Sequence, residues 1–184
     1  MSLCYLCRVQ LLPARAEDWP RAWEIQRAAF EPTLRHSHGG WTDRLIAQSA
    51  AAWAPERSRL IVEGGTLLGW LRTEHHADHD WLDLFVLAPE HQGRGVGEAV
   101  LRLLIAEAAL RGLPLWLSVH RDNPAQGLYR RMGFAARPRD PLRLWMVHPA
   151  AALPNLPQGR LSLNPKRKRR HEAASEMDSL QLGE

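Results

Sequence analysis

Residues 89 to 97 read PEHQGRGVG, and EAVLRLLIAEAAL follows at once. Gly93, Gly95 and Gly97 alternate where a long helix begins. Helix starts favour Ser, Thr, Asp or Asn at the cap, and glycine in a helical turn costs about 1 kcal/mol against alanine. A helix N-terminus carries unpaired N–H groups and the positive end of the helix dipole. Removing the Cβ atoms lets an anion approach those amides and permits backbone angles that other residues resist. The chemistry this spacing suits is phosphate binding. A P-loop would need G-x-x-x-x-G-K-[ST], and no lysine precedes Lys166. A dinucleotide fingerprint would need glycine where Glu98 stands, and an acidic residue about 20 positions on, where the chain reads LPLWLSVH. What remains is Q-x-x-G-x-G, formed by Gln92, Gly95 and Gly97. Further on, NPAQGLYRRMGF places Tyr129 on a short helix. A phenol there either donates a proton as a general acid or packs beside Leu128 and Met132.

The elements that must position these residues follow from pattern. VQLLPA suggests an opening strand, and Asp18 caps a following helix that carries Trp23, Ile25, Ala28, Ala29 and Phe30. The polar stretch EPTLRHSHGGW is expected to break that helix. TDRLIAQSAAAWA reads as a second helix, capped by Thr42 or Asp43. RLIVEGGTLLGWLRTE is a hairpin turning on Gly64-Gly65, HHADHD is a turn, and WLDLFVLAP is a further strand. The long helix spans roughly 96 to 111, where Gly112 ends it and Pro114 prevents its continuation. LPLWLSVH is a buried strand, residues 124 to 132 a short helix, and FAARP and LRLWMVHP two last strands. Trp70, Trp116 and Trp145 are read as core. The strand–helix–strand unit at residues 81 to 119 makes this an α/β (α+β) domain over residues 1 to 148. From Pro149 to residue 184 the Pro-, Ser- and charge-rich sequence is expected to be a disordered tail.

The Q-x-x-G-x-G turn after a strand ending V-L-A-P, followed in order by N-P-A-x-x-L-Y and G-F, resembles the acyl-CoA site of the GNAT superfamily of N-acetyltransferases. The resemblance spans about residues 8 to 148 and implies a mixed, mostly antiparallel sheet flanked by helices. It implies a pyrophosphate seat on Gly93, Arg94, Gly95, Val96 and Gly97, with Gln92 at the loop entrance. It also implies that Phe85, Val86 and Leu87 pair with the pantetheine arm as an added strand does. That requires the strand to splay from residues 115–119. Tyr129 is the implied general acid and a further cofactor contact. The position of the family's cofactor-contacting Asn falls on Asp122, with Asn123 one residue late, and Asn123 reads equally as a helix cap before Pro124. Many members carry a base on the central strand at a position that is Trp81 here. Asp83, two residues along, is the first candidate base, against a plain reading as a paired or solvated carboxylate. Phe30, Arg35, His36, His38 and Trp41 lie where the family shapes its acceptor site.

Acetyl-CoA is the implied co-substrate and a primary amine the implied acceptor, attacked directly because neither Cys4 nor Cys7 is placed as a nucleophile. The alternative is a non-catalytic acyl-CoA-binding regulatory domain. No metal is expected: Cys4 and Cys7 form a lone C-x-x-C, and His75, His76, Asp78, His79 and Asp80 crowd one turn without a zinc-type spacing. Of the net charge of +4, the stretch from Pro149 onward holds six basic and four acidic residues. The folded part is near balance, which argues against a broad nucleic-acid surface. The run Lys166–Arg170 offers at most weak polyanion binding. Without a signal peptide or membrane span, cytoplasmic residence is the expectation. A homodimer stays open.

Overall fold

The computed structural model describes residues 8–121, 123–138, 141 and 143–150. Cys4, Cys7, Asp122 and the proposed tail from residue 151 on, with its Lys166–Arg170 run, lie outside these described residues. Seven strands form one sheet: β1 (Val9–Pro13), β2 (Ser58–Glu63), β3 (Thr66–His75), β4 (Asp80–Leu87), β5 (Leu115–His120), β6 (Ala135–Pro138) and β7 (Arg143–His148). Their spatial order is β1-β2-β3-β4-β5-β7-β6. Every neighbouring pair is antiparallel except β4 and β5, which the crossover helix joins in parallel. The helices are α1 (Trp19–His38), α2 (Asp43–Ala51), α3 (Val96–Leu110) and α4 (Gln126–Arg131). No helix among the described residues is long and apolar enough to cross a membrane.

Strand alternation divides the core between the two sheet faces. Leu71, Leu82, Leu117 and Met146 pack with Val100, Leu101 and Leu104 of α3. Trp70, next to Leu71, packs on the other face with Ala22 of α1 and Val86 of β4. Its indole Nε1 donates to the Ala22 carbonyl at 3.1 Å. Burying each such large side chain contributes about 1.5–3 kcal/mol. The α2 start reads as expected, because Thr42 Oγ1 accepts from the Leu45 amide at 3.3 Å. Asp18 sits at the N-cap of α1, but its carboxylate accepts from the Arg15 amide at 2.8 Å instead of capping that helix.

Two local features depart from the sequence reading. Helix α1 runs through Pro32 to His38 and ends on Gly39, in the left-handed region at φ 73°. The proline removes one backbone hydrogen bond, yet Leu34 beyond it is buried and the Gly39 and Gly40 amides both return to the Leu34 carbonyl. The second feature is a bulge in β4: Arg72 pairs with Leu84 but Thr73 pairs with Leu82, so Asp83 is an extra residue. A bulge reverses which face the following side chains occupy and bends the strand. Pairing between β4 and β5 stops at the same level, covering only residues 80–82 against 115–117. Beyond it the two strands diverge.

Gly69 of β3 holds this bent strand close. A Cβ built there would stand 2.1 Å from the Val86 carbonyl oxygen. Gly69→Ala is therefore expected to cost about 3 kcal/mol, the upper end of overpacking, measured as a shift in the denaturant midpoint at unchanged slope.

Candidate active site

The gap between the diverging strands opens into a cavity of about 510 Å³. Phe85, Val86 and Leu87 of β4 form one wall, and His120 with Asn123 to Ala125 forms the opposite one. Leu128 and Tyr129 of α4 and Ala29, Phe30 and Thr33 of α1 contribute to the lining, and Gln92 and Gly97 stand at the α3 end. The sequence-predicted Phe85, Val86, Leu87, Gln92, Gly97, Asn123 and Tyr129 thus converge on one space.

The glycine turn is a strand-to-helix junction. After β4 a short 3-10 turn at residues 89–91 leads to Gly95, the N-cap of α3, at φ 83° in the left-handed region. Gly93 takes φ 69°, and a Cβ at either residue would meet nothing within 4 Å. The open side of the turn is therefore free to receive a ligand. Among the described residues, the amides of Arg94, Gly95, Val96 and Gly97 have no protein acceptor, and no side chain caps α3. They point an unsatisfied, positively polarised helix end outward. Gly97 serves packing: a Cβ there would lie 3.0 Å from Leu128 Cδ2, so its absence lets α4 approach α3. Gln92 donates from Nε2 to the Leu87 carbonyl at 3.0 Å and ties the loop to the end of β4. Arg94 is exposed beside the turn.

The inner edge of β4 offers further unsatisfied backbone. Ala88 donates to the Leu68 carbonyl, and the Val86 carbonyl faces Gly69, so residues 86 and 88 direct their polar groups to β3. By alternation Phe85 and Leu87 direct theirs toward the gap, where the Leu87 carbonyl already accepts from Gln92. Val86 contributes its side chain, not its backbone, to the cavity.

Tyr129 is 8% exposed, its ring edge-on to Phe134 at 5.8 Å. Asn123 Oδ1 accepts from the Ala125 amide at 2.8 Å, the local cap reading, although the residue also borders the cavity.

Asp83 stands apart from the cavity, in line with the plain reading of a paired carboxylate. Its carboxylate accepts from Arg72 Nε at 2.6 Å, with the two side chains 10% and 7% exposed, and it does not line the cavity. It shares the face of Trp81, as alternation places it, but is turned to Arg72 of β3 and away from the gap between β4 and β5. Arg72 also donates to the Ala52 carbonyl at 2.5 Å, so the pair joins the sheet to the end of α2. Arg35 pairs with Glu31 at 2.6 Å, and Trp41 packs edge-on to Trp23 at 4.7 Å; of the proposed acceptor residues with described side chains, Phe30 alone lines the cavity. The side chains of His36 and His38 lie outside the description. The histidine turn sits at the opposite end of β4. There His75 meets Asp80 at 2.6 Å, His79 meets Asp78 at 2.6 Å, and the His76 and His79 rings stack at 4.4 Å. Sequence reasoning missed His120, whose signal was a polar residue closing the buried strand LPLWLSVH just before the Tyr129 helix.

The acetyltransferase (GNAT) family model matches residues 15–134, well over half of the chain. The chain belongs to this family of acetyltransferases. The ribosomal protein bS18-alanine N-acetyltransferase of Haemophilus influenzae is 31% identical over 123 residues, 64% of this chain and 75% of that protein. A mycothiol acetyltransferase of Streptomyces bingchenggensis is 36% identical over 90 residues, 47% of this chain, and the match spans only 29% of that protein's length. The crystal structure of the Escherichia coli ribosomal-protein-S18-alanine N-acetyltransferase superposes with a TM-score of 0.58 at 26% identity, covering 80% of this chain and 98% of that one. PaiA N-acetyltransferase from Thermoplasma acidophilum, in complex with coenzyme A, superposes with a TM-score of 0.63 at 18% identity over 81% and 99% of the two chains, a likeness of fold.

If Asp83 is a structural partner of Arg72, Asp83→Asn should cost about 3 kcal/mol by leaving a buried guanidinium uncompensated. Thermal melts should show the loss while kcat, taken where the variant is folded, stays unchanged. A collapse of kcat at full stability would restore Asp83 as the base.

Proposed function

We propose that the amides of Arg94 to Gly97 hold the acetyl-CoA pyrophosphate, with Arg94 adding positive charge at the rim. The pantetheine arm lies along the open edge of β4 at Phe85 and Leu87, completing backbone hydrogen bonds that β5 would make in a continuous sheet. This lays the thioester in the cavity between β4 and α4. A primary amine attacks its carbonyl carbon directly, and the Tyr129 hydroxyl gives its proton to the departing thiolate. The observation that carries this reading is the convergence of Tyr129, the open β4 edge and the unpaired α3 amides on one cavity.

The acceptor is a primary amine of a protein or small molecule. The relatives of comparable length are named for acetylating an alanine in a ribosomal protein, and an alanine residue has a free amine only at a chain N-terminus. Peptide N-terminal amines are therefore the first acceptors to test, alongside small amines. Cytoplasmic residence and use without a metal complete the proposal.

Calorimetry should detect acetyl-CoA binding to the unmodified chain. Gly95→Val, which forces a branched side chain into the left-handed region, should weaken binding at least tenfold. Tyr129→Phe should retain that binding and lose about 10²-fold in kcat, the scale of a general acid. Full turnover in Tyr129→Phe would remove the acid assignment. Binding without transfer to any amine would leave an acyl-CoA-binding domain.

A further inference from the structure

We infer that His120 is the general base of the transfer reaction, an inference that rests on the acetyltransferase reading of this cavity. An acceptor amine reaches the site largely as an ammonium ion, which has no lone pair with which to attack, so a group in the cavity must take a proton. Among the described lining residues, His120 and Tyr129 are the titratable ones. Once the phenol is assigned to the thiolate, the imidazole is left for the amine.

Its placement suits the task. His120 is the last residue of β5, on the wall facing β4, where the loss of strand pairing opens the cavity. It is 8% exposed, so a base there works largely out of contact with bulk water. Its backbone is fixed: the carbonyl accepts from the Asn123 amide at 3.0 Å and from Gln126 Nε2 at 3.1 Å. The same short loop leads to α4 and Tyr129, so one segment spaces the two groups. Arg143 stands opposite His120 on β7, and its guanidinium donates to Ser118 Oγ at 2.6 and 2.9 Å. From α1 the cavity receives Ala29, Phe30 and Thr33, which do not titrate in the working range, and from β4 Phe85, Val86 and Leu87. Arg143 is thus the cross-strand neighbour of His120, and Tyr129 shares its cavity.

The protons balance. The neutral imidazole takes one proton from the ammonium, and the freed amine forms the C–N bond to the thioester carbonyl carbon. The C–S bond then breaks, and the thiolate receives the Tyr129 proton. The phenolate recovers a proton from the new nitrogen, giving the neutral amide and coenzyme A thiol. The imidazolium returns its proton to solvent.

The test is the pH dependence of kcat/KM for the amine in the unmodified chain, His120→Gln and His120→Ala, with melting curves and acetyl-CoA calorimetry on each. With folding and acetyl-CoA affinity retained, the variants should lose about 10²-fold near neutral pH. The deficit should shrink as pH nears the acceptor's own pKa, where the amine arrives unprotonated. Added imidazole should restore part of the His120→Ala rate. A deficit equal at every pH without imidazole rescue, or no deficit, overturns the assignment while leaving the acetyltransferase reading standing. If both variants fail to fold or to bind acetyl-CoA, His120 is structural and the assignment also falls. An unmodified chain that turns over no amine overturns both readings.

Discussion

Two sets of backbone groups that the protein leaves unsatisfied govern this site. Main-chain N–H and C=O groups set aside from water normally find partners within the fold. Here the open edge at Phe85, the Leu87 amide and the first amides of α3 have none among the described residues, while the Leu87 carbonyl is taken by Gln92. Both lie in the stretch from the β4 bulge to the first turn of α3. A ligand carrying amides along one arm and phosphates at its end satisfies both sets at once, in the order in which the chain presents them.

The bulge at Asp83 is the local cause. One additional residue in β4 reverses the facing of Phe85 and Leu87 and coincides with the end of β4–β5 pairing. The Arg72–Asp83 ion pair and the bare backbone of Gly69 hold β3 against the bent strand. The strand remains attached on one side and free on the other. This opening separates His120 from β4 and leaves a cavity lined by Tyr129.

How much of this was legible in the sequence depended on the kind of signal. Gly93 and Gly95 were readable because a positive φ demands glycine, and that demand is local. The Gly64-Gly65 hairpin and the Thr42 cap were readable for the same reason. The pairing of Asp83 with Arg72 was not legible because a cross-strand partner is a tertiary property, and the bulge leaves no mark in a two-residue alternation; the register against β3 reveals it. The run of α1 through Pro32 escaped notice because burial of Leu34 and the Gly39 terminus outweigh one missing hydrogen bond. His120 was overlooked because its significance comes from strand divergence, a tertiary property. The resemblance in the motifs gave the family, and it gave no comparable guide to the acceptor or the base.

Amide NMR on the labelled protein during a coenzyme A titration tests the central claim most directly. Binding by backbone predicts that the largest chemical-shift changes fall on Arg94, Gly95, Val96 and Gly97, with a second group at Phe85 and Leu87. They should weaken when pantetheine, lacking the pyrophosphate, replaces coenzyme A, the second group outlasting the first. Saturating coenzyme A that leaves the α3 amides unmoved would contradict the account.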